Sequence, residues 1–596
     1  MDRRELFRKE NSCPNAQLNF EKVRRLRSCH TLYTVVRIFH RFALHLRIFP
    51  GDLLLERNQT IAIVVILIVV GAAAAYILLA PPPVPTESVI IFGTTDTVEA
   101  SIDPAQSYDY FGWEIITSLG AGLVEIIPGT SAGPDDIRGA LAESWTVDET
   151  KTQWDFVLRE GLEFYDGQPF NATCVKWSFE RNIDMALEDG PQLNMGYGDI
   201  IDEIVVLDTY EVRFNLHIAF APFLQLMSCA ASYIVHPDFK DDANYVAYSS
   251  TAGPRGSHPN DLGPYVLANW TRVGGTDTLM RLEANPNYWD YPNLPKTDTI
   301  IIQFYSTDTA LGAALSGGDL DIAYRHLSPA QVDSFKDDAD FTVWEGVGAS
   351  IQYMLFQQTI YPFNETRIRQ GVAAALNRSN LAATVFEGTV DPLYSVVPAG
   401  MAYHKPSFEV YGEANYTYTQ DCLDDFGYDS ENKLVIDLWY ESSGHYPSSE
   451  EQATFYKSNL EASGVITVNI HSADWPTYRT QRNAGTMPVF IYGWYPDYID
   501  PDNYGFLPFA SWLNLGYNET YPAGGVQQYD LWVEGRSAQT DEAREEAYFD
   551  LQDLQAEEVS LIPLWQGRNN AVTVTAVEGI VLDITVNWRH WLVYMT

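Results

Sequence analysis

Basic residues are scarce in this chain. Across 596 residues, 37 Lys and Arg stand against 79 Asp and Glu, a formal net charge of −42. That deficit argues against nucleic acid as a partner, because phosphate binding needs basic stripes. Cysteine is sparse as well. There are five, and Cys13 and Cys29 fall in the N-terminal head. Cys174, Cys229 and Cys422 remain, an odd set that allows one disulfide at most and does not say which. No Cys or His spacing resembles a zinc site. Two enzyme motifs are missing too: there is no His-Glu-x-x-His and no Gly-x-x-x-x-Gly-Lys. Gly346 and Gly348 form only a fragment of a nucleotide fingerprint. Asp500, Asp502 and Gly505 hold calcium-loop positions, but Tyr504 and Ser511 stand where acids are needed, so a turn is expected there. Glu163 and Asp166 could imitate a glycosidase pair, yet nothing fixes their separation. The sequence therefore predicts no catalytic residue, no cofactor and no metal, and no enzyme.

What is present is unevenly placed. Residues 1–57 carry a net charge of +6, and the remainder carries −48. Between a basic head and an acidic body lies Ile61–Ala80, twenty residues without a charge. At about 1.5 Å per residue such a helix spans a bilayer core. The positive-inside rule puts the head in the cytoplasm and everything after Ala80 outside. A cleaved signal peptide is the rival reading, with Ala72–Ala75 as the small-residue site. Residues 1–55 read as an extension of the gene, with the true start near Leu55. Pro81, Pro82, Pro83 and Pro85 make residues 81–87 a stiff extended linker. The body is too long for one core, so at least two lobes are expected. Aromatic residues reach 13%, with 36 Tyr and 15 Trp. Such rings suit a surface that recognises organic ligands, or equally a large aromatic core. Asn171, Asn269, Asn364, Asn377, Asn415 and Asn518 are acceptor sites for glycosylation.

Strand-like and helix-like runs alternate without a simple βαβ order, which predicts an α/β chain. Residues 200–207 and 211–216 read as a strand pair with a polar turn between them. Residues 299–305 read as a strand, 365–377 as a helix, 541–559 as a long amphipathic helix with Ala543, Ala547, Leu551 and Leu554 on its stripe, and 561–565 as a strand.

Several segments together resemble one family. Residues 158–181 read LREGLEFYDGQPFNATCVKWSFER. Asn171 or Thr173 would cap a helix along which Val175, Trp177, Ser178 and Phe179 run. Further matches follow in order: LAESW at 141–145, Ala221-Pro222-Phe223, Gly263-Pro264-Tyr265, EANPNYW at 283–289, LSGGDLDI at 315–322, FNETRIRQGVAAALNR at 363–378 and GWYPDYIDPDNY at 493–504. The chain resembles the extracellular solute-binding proteins of family 5, the dipeptide, oligopeptide and nickel class. Gln357-Gln358 departs from the pattern, where the family usually has Asn.

The resemblance implies a two-lobed clamp of the periplasmic-binding-protein kind, the large class with an extra subdomain in lobe I, preceded by one transmembrane helix. Lobe I would comprise 88–303 plus 563–596, and lobe II 304–562, with the hinge near 302–305 and 562–565. It implies capture of di- or oligopeptides in the cleft and delivery to the permease and ATPase subunits of an ABC importer, the chain being held at the cell membrane by its N-terminal helix. Oligosaccharide is the alternative ligand, followed by other small organic solutes. Gly493, Trp494 and Asp497 match the Gly-Trp-x-x-Asp segment in which the family's Asp receives a peptide's α-ammonium. Gly493–Tyr495 would pair with the peptide backbone, and Trp494 and Tyr495 would add apolar wall. Alternatively, residues 497–503 are merely a turn rich in Asp, Pro and Asn.

Overall fold

The computed structural model describes residues 87–596 except 100, 165–166, 186–189, 238–261, 291–292, 326 and 517–522. The expected head 1–57, membrane segment 61–80 and linker residues 81–86 lie outside the described residues. No helix among the described residues is long and apolar enough to cross a membrane.

The first described element is β1 (Val89–Thr94), whose Ile90 and Phe92 are fully buried. A short hairpin of β2 (Val124–Ile126) and β3 (Ile137–Gly139) follows. A separate antiparallel sheet is then built from β4 (Ala142–Val147), β5 (Gln153–Leu158), β6 (Ile201–Asp208) and β7 (Glu211–Leu216), in the order β4-β5-β7-β6. In β7, Val212, Phe214 and Leu216 point inward while Glu211, Arg213 and Asn215 alternate outward, the period-2 pattern of a half-buried strand. Arg213 uses its outward position to pair with Asp155 at 2.6 Å. Helix Ala172–Met185 covers this sheet. Asn171 caps it, its Oδ1 accepting from the Thr173 N–H at 2.9 Å. Cys174, Val175, Ser178 and Phe179 turn inward.

Strands β8 (Tyr265–Val273) and β9 (Thr276–Ala284) form a hairpin that joins β10 (Thr299–Phe304), itself parallel to β1 with Ile90 opposite Ile300. Beyond come β11 (Ile322–Tyr324), the long β12 (Phe341–Phe356), β13 (Val390–Pro392), β14 (Leu434–Glu441), β15 (Ile466–Ala473), β16 (Val489–Trp494) and the long β17 (Leu561–Val574). They complete one large sheet in the order β15-β14-β16-β12-β17-β11-β1-β10-β9-β8, with β13 added beside β17.

The centre of this sheet is the antiparallel pair β12–β17. At one end, Ala571–Thr573 of β17 also pair with β11. At the other, Ile351–Phe356 of β12 pair with β16. Between these ends the ladder slips, at Val347/Ile351 and again at Gln352/Tyr353. Two glycines make the close approach possible. A Cβ on Gly348 would sit 2.7 Å from the Gly567 carbonyl oxygen, and one on Gly567 would sit 2.4 Å from Ser350 Oγ. The sheet has no break at residues 303 and 304. Residues 308–336 instead pack Leu311, Leu315, Val332 and Phe335 against Ile91 and Val572, on the β1 side.

Helix Asp541–Glu558 forms as the sequence suggests, capped by Thr540, but its buried stripe is rotated. Arg544, Tyr548, Gln552 and Gln555 join Ala547 and Leu551 inside, while Ala543 and Leu554 are only half-buried. Arg544, Gln552 and Gln555 have partners. Arg544 meets Asp500 at 2.6 Å, and Gln552 accepts from Ser395 and from the Lys405 N–H. Cys174, Cys229 and Cys422 are all unpaired thiols. Gln357 and Gln358 are buried and donate to the backbone oxygens of Asn514 and Ser560, which is a structural use of that departure from the family pattern.

Candidate functional site

The segment that leaves β16 carries the four residues singled out from the sequence. Gly493 lies opposite Gln352 of β12. A Cβ there would come within 2.7 Å of the Tyr446 ring, so the position requires glycine. Trp494 follows, half-buried, with its ring stacked on Trp512 at 5.7 Å and edge-on to Phe506 at 5.5 Å. Its indole N–H donates to Asn503 Oδ1 at 3.1 Å. The chain then turns at Pro496, and Asp497 is 8% exposed.

Asn503, from helix Asp502–Gly505, fixes the Asp497 carboxyl. Its Oδ1 accepts the Asp497 N–H at 2.9 Å, and its Nδ2 donates to Asp497 Oδ2 at 3.1 Å. Tyr108 lies near enough that, after burial, the Asp497 charge helps to push its hydroxyl well above its ordinary range. Among the described residues no basic side chain pairs with it. Burial pushes the acid up to about 6, and the hydrogen bond from Asn503 opposes that rise. A buried carboxylate lacking a counter-ion carries a desolvation cost that a positive group beside it would relieve.

Residues 108–110 face 495–497 across a seam. Tyr110 donates its hydroxyl to the Pro496 carbonyl at 3.1 Å, and its ring lies 5.2 Å from that of Tyr495, which is otherwise 42% exposed. Behind Tyr110 sits Arg325, a non-glycine residue at φ +60° just after β11. It pairs with Asp96 at 3.1 Å and with Glu114. Burial pushes the Glu114 carboxyl up to about 7 against the pull of Arg325. Arg325 is thus consumed by two acids and leaves Asp497 uncompensated.

The Asp-Pro-Asp-Asn run just beyond has a different task. Asp500 pairs with Arg544 at 2.6 Å and Asp502 with Arg536 at 3.1 Å, all four largely buried. Tyr498 donates to Asp502 at 2.6 Å. These acids anchor the two following helices, which is why the calcium-like spacing is occupied by arginines. The turn reading of 497–503 is therefore right for Asp500 and Asp502 but does not account for the uncompensated Asp497.

The outer edge of β16 is only partly laddered. β14 pairs with it at Val489 and Phe490 alone. Farther along, tyrosines take the backbone: Tyr478 donates to Ile491 O at 2.6 Å and Tyr353 to Gly493 O at 3.3 Å. A separate cavity of about 50 Å³, room for a few waters, is bordered by Thr117, Glu125, Tyr233, Asn587 and Arg589 and touches none of residues 493–497. Among the described residues no group of three or more His, Cys, Asp or Glu could hold a metal ion.

Sequence reading missed Tyr108, Tyr110 and Arg325, which belong to no motif and reach the site only through folding. Asn503 lay within the quoted segment, but nothing in its spacing announced that it grips Asp497.

Comparison with known proteins places these features in context. The profile described as "Bacterial extracellular solute-binding proteins, family 5 Middle" matches residues 136–512. The probable D,D-dipeptide-binding periplasmic protein DdpA of Escherichia coli is 25% identical over 423 residues, covering 70% of this chain and 76% of that protein. The ABC transporter-associated periplasmic binding protein DppA from Helicobacter pylori, solved with the peptide STSA, superposes with a TM-score of 0.67 at 21% identity, over 85% of this chain and 98% of that one. NikA from Brucella suis, solved with Fe(III)-EDTA, superposes with a TM-score of 0.73 at 17% identity, over 85% of this chain and all of that one. These likenesses show the two-lobed, periplasmic-binding-protein-like α/β fold.

Proposed function

The chain belongs to the bacterial extracellular solute-binding proteins of family 5, and on that premise we propose that it captures peptides between its lobes and delivers them to an ABC importer. The observation that carries the peptide reading is Asp497: a buried carboxyl without a counter-ion. A peptide's α-ammonium, with an ordinary pKa of about 7.7–8.0, supplies the missing charge. A neutral oligosaccharide offers the aromatic residues here something to stack on but leaves that acid uncompensated. The relatives named for dipeptides, and the likeness to a structure holding a peptide, favour the same class. Gly493–Tyr495 would run beside the ligand backbone, as strand addition does. In doing so the ligand replaces the tyrosine hydroxyls now bonded to Ile491 and Gly493.

We place the change of lobe at the slip between Val347 and Ile351 and the facing Gly567–Arg568, rather than at residues 302–305 and 562–565. The pairing of β11 with β17 and the packing of residues 308–336 on β1 support that placement. The body lies outside the cell, and Ile61–Ala80 remains the segment that would anchor it. Mass spectrometry of small molecules released when the purified protein is denatured tests the ligand class. Peptides are expected. Sugars alone would overturn the peptide reading.

A further inference from the structure

Where β12 and β17 change register, side chains take up backbone carbonyls. Val347 pairs with Arg568 and Ile351 with Gln566, so four steps along β12 answer two along β17. Val347 O accepts from Asn569 Nδ2 at 3.1 Å, Gly348 O from Gln566 Nε2 at 2.7 Å, and Ala349 O from the Tyr504 hydroxyl at 2.7 Å. On the proposed lobe boundary these donors belong to different bodies. Asn569 also donates to Asp583 O at 2.7 Å, in the C-terminal tail. That tail buries Trp588, Trp591 and Val593 beside Ile90 and Phe92, on the lobe I side. Asn569 therefore anchors one end of the slip within lobe I, and Tyr504 anchors the other end within lobe II. Gln566 holds two things at once. It is 2% exposed. Its Oε1 accepts the Ala399 N–H at 2.7 Å, and its Nε2 donates to Ala399 O at 3.0 Å as well as to Gly348 O. The loop around Ala399 is fixed to lobe II: Val396, Val397 and Met401 are buried with Ile351 and Tyr353, and Ser395 donates to Gln552 at 2.6 Å.

We infer that Gln566 is a positioning residue for lobe closure: its amide ties the lobe II loop at Ala399 to Gly348, the first residue of the slip on the lobe I side. It thereby favours the angle at which residues 108–110 meet residues 495–497. This rests on the proposed lobe boundary and adds to it the group that sets the angle. Turning one lobe against the other carries Gly348 away from Ala399. A hydrogen bond weakens steeply as its angle falls toward ~120°, and a buried carbonyl that loses its donor bears the cost of desolvation. The amide cannot follow Gly348, because its two bonds to Ala399 fix its plane. Opening the cleft therefore breaks the bond to Gly348 O, and closing it restores that bond. The apparent affinity for ligand scales with the closed fraction of the protein, so Gln566 raises affinity by favouring closure.

The test follows amide hydrogen exchange in the full-length chain at residues 107–112 and 493–498, the two sides of the seam, without ligand. Gln566→Met keeps the length of the side chain and removes its amide. It should speed exchange on both sides of the seam roughly fivefold and weaken trialanine, measured by calorimetry, by a similar factor. Gln566→Glu keeps the acceptor for the Ala399 N–H and loses the donors, so it should act in the same direction and carries the test if Gln566→Met does not fold. Asn569→Ala gives up two donated bonds within lobe I and should leave exchange at the seam as in wild type. Gly348→Ala drives a Cβ to 2.7 Å from the Gly567 carbonyl oxygen and perturbs the slip directly. Unchanged exchange in both Gln566 variants with faster exchange in Gly348→Ala overturns the role of Gln566 and leaves the lobe boundary standing. Unchanged exchange in all of them overturns the boundary and the inference with it. Equal acceleration in Asn569→Ala overturns the inference, because loosening either end of the slip would then suffice. Trialanine that binds no form of the protein counts against the peptide reading, while the exchange decides the role of Gln566.

Discussion

Asp497→Asn separates binding from stability, because the two respond in opposite directions. The carboxyl is 8% exposed, accepts from Asn503, and has no base beside it among the described residues. Burial holds its pKa near 6, above the ordinary carboxyl range. Such a raised acid stabilises the fold in its protonated form. That contribution is complete below the ordinary range near pH 4 and is lost as pH rises through about 6. Above pH 6 the empty protein therefore carries an ionised acid at a cost of roughly 3 kcal/mol. Asparagine keeps the shape and removes the charge. Unfolding in urea at pH 7 should show the variant as stable as wild type or more so, with the advantage growing between pH 4 and 6 and level above. Ligand binding moves the other way. Removing one partner of a buried ion pair costs about 3–5 kcal/mol, which is at least a hundredfold in affinity at about 1.4 kcal/mol per tenfold. Calorimetry on the co-purified ligand at pH 7 reads this directly. An affinity within about threefold of wild type refutes the ammonium role. A loss of stability as large as the loss of binding would refute the reasoning equally, since Asp497 would then be a structural acid.

Two further substitutions probe the scaffold. Arg544→Ala leaves Asp500 buried without its guanidinium, so urea unfolding should show a loss of about 3–5 kcal/mol; a change below about 1 kcal/mol would mean the pair is solvated. Gly493→Ala drives a methyl to 2.7 Å from the Tyr446 ring and should cost about 1–3 kcal/mol of stability together with weaker ligand binding, whereas an unchanged melting curve and affinity would show that the Tyr446 ring swings freely.

The secondary structure that depends on neighbours in the chain was legible in the sequence. The β6–β7 pair, strand β10, helix Thr366–Ala375 and the cap at Asn171 follow from alternation, helical spacing and a side-chain oxygen that can turn back on the N–H groups ahead of it. Helix Asp541–Glu558 was legible in extent but not in orientation. Counting apolar residues chose Ala543 and Leu554, but the ion pair of Arg544 and the hydrogen bonds of Gln552 turn polar positions inward. The strand partners of residues 304–340 were harder still. Those residues carry no mark that distinguishes one side of a sheet from the other, and β11 pairs with both β1 and β17 only in the folded chain. At the site, the stretch 493–497 was visible as a motif. Its partners Tyr108 and Arg325 stand hundreds of residues away, and no local pattern encodes a contact at that separation.

The slipped ladder between β12 and β17 has a mechanical consequence. Both strands run through it without interruption, so the connection is a leaf spring rather than a pin joint. On the proposed lobe boundary, bending would concentrate where the ladder register shifts, between Val347 and Ile351, and where Gly348 and Gly567 offer no side chains to collide. A spring of this kind has a rest angle and resists deflection to either side. Its compliance can be tuned by residues that never touch ligand: a bulkier residue at 348 or 567 stiffens the spring and shifts its rest angle. Asp497 lies only a few residues past the Ile351–Trp494 pairing. On the proposed lobe boundary and ligand site, small displacements of a ligand there would be geared up into large excursions at the far rims of the clamp.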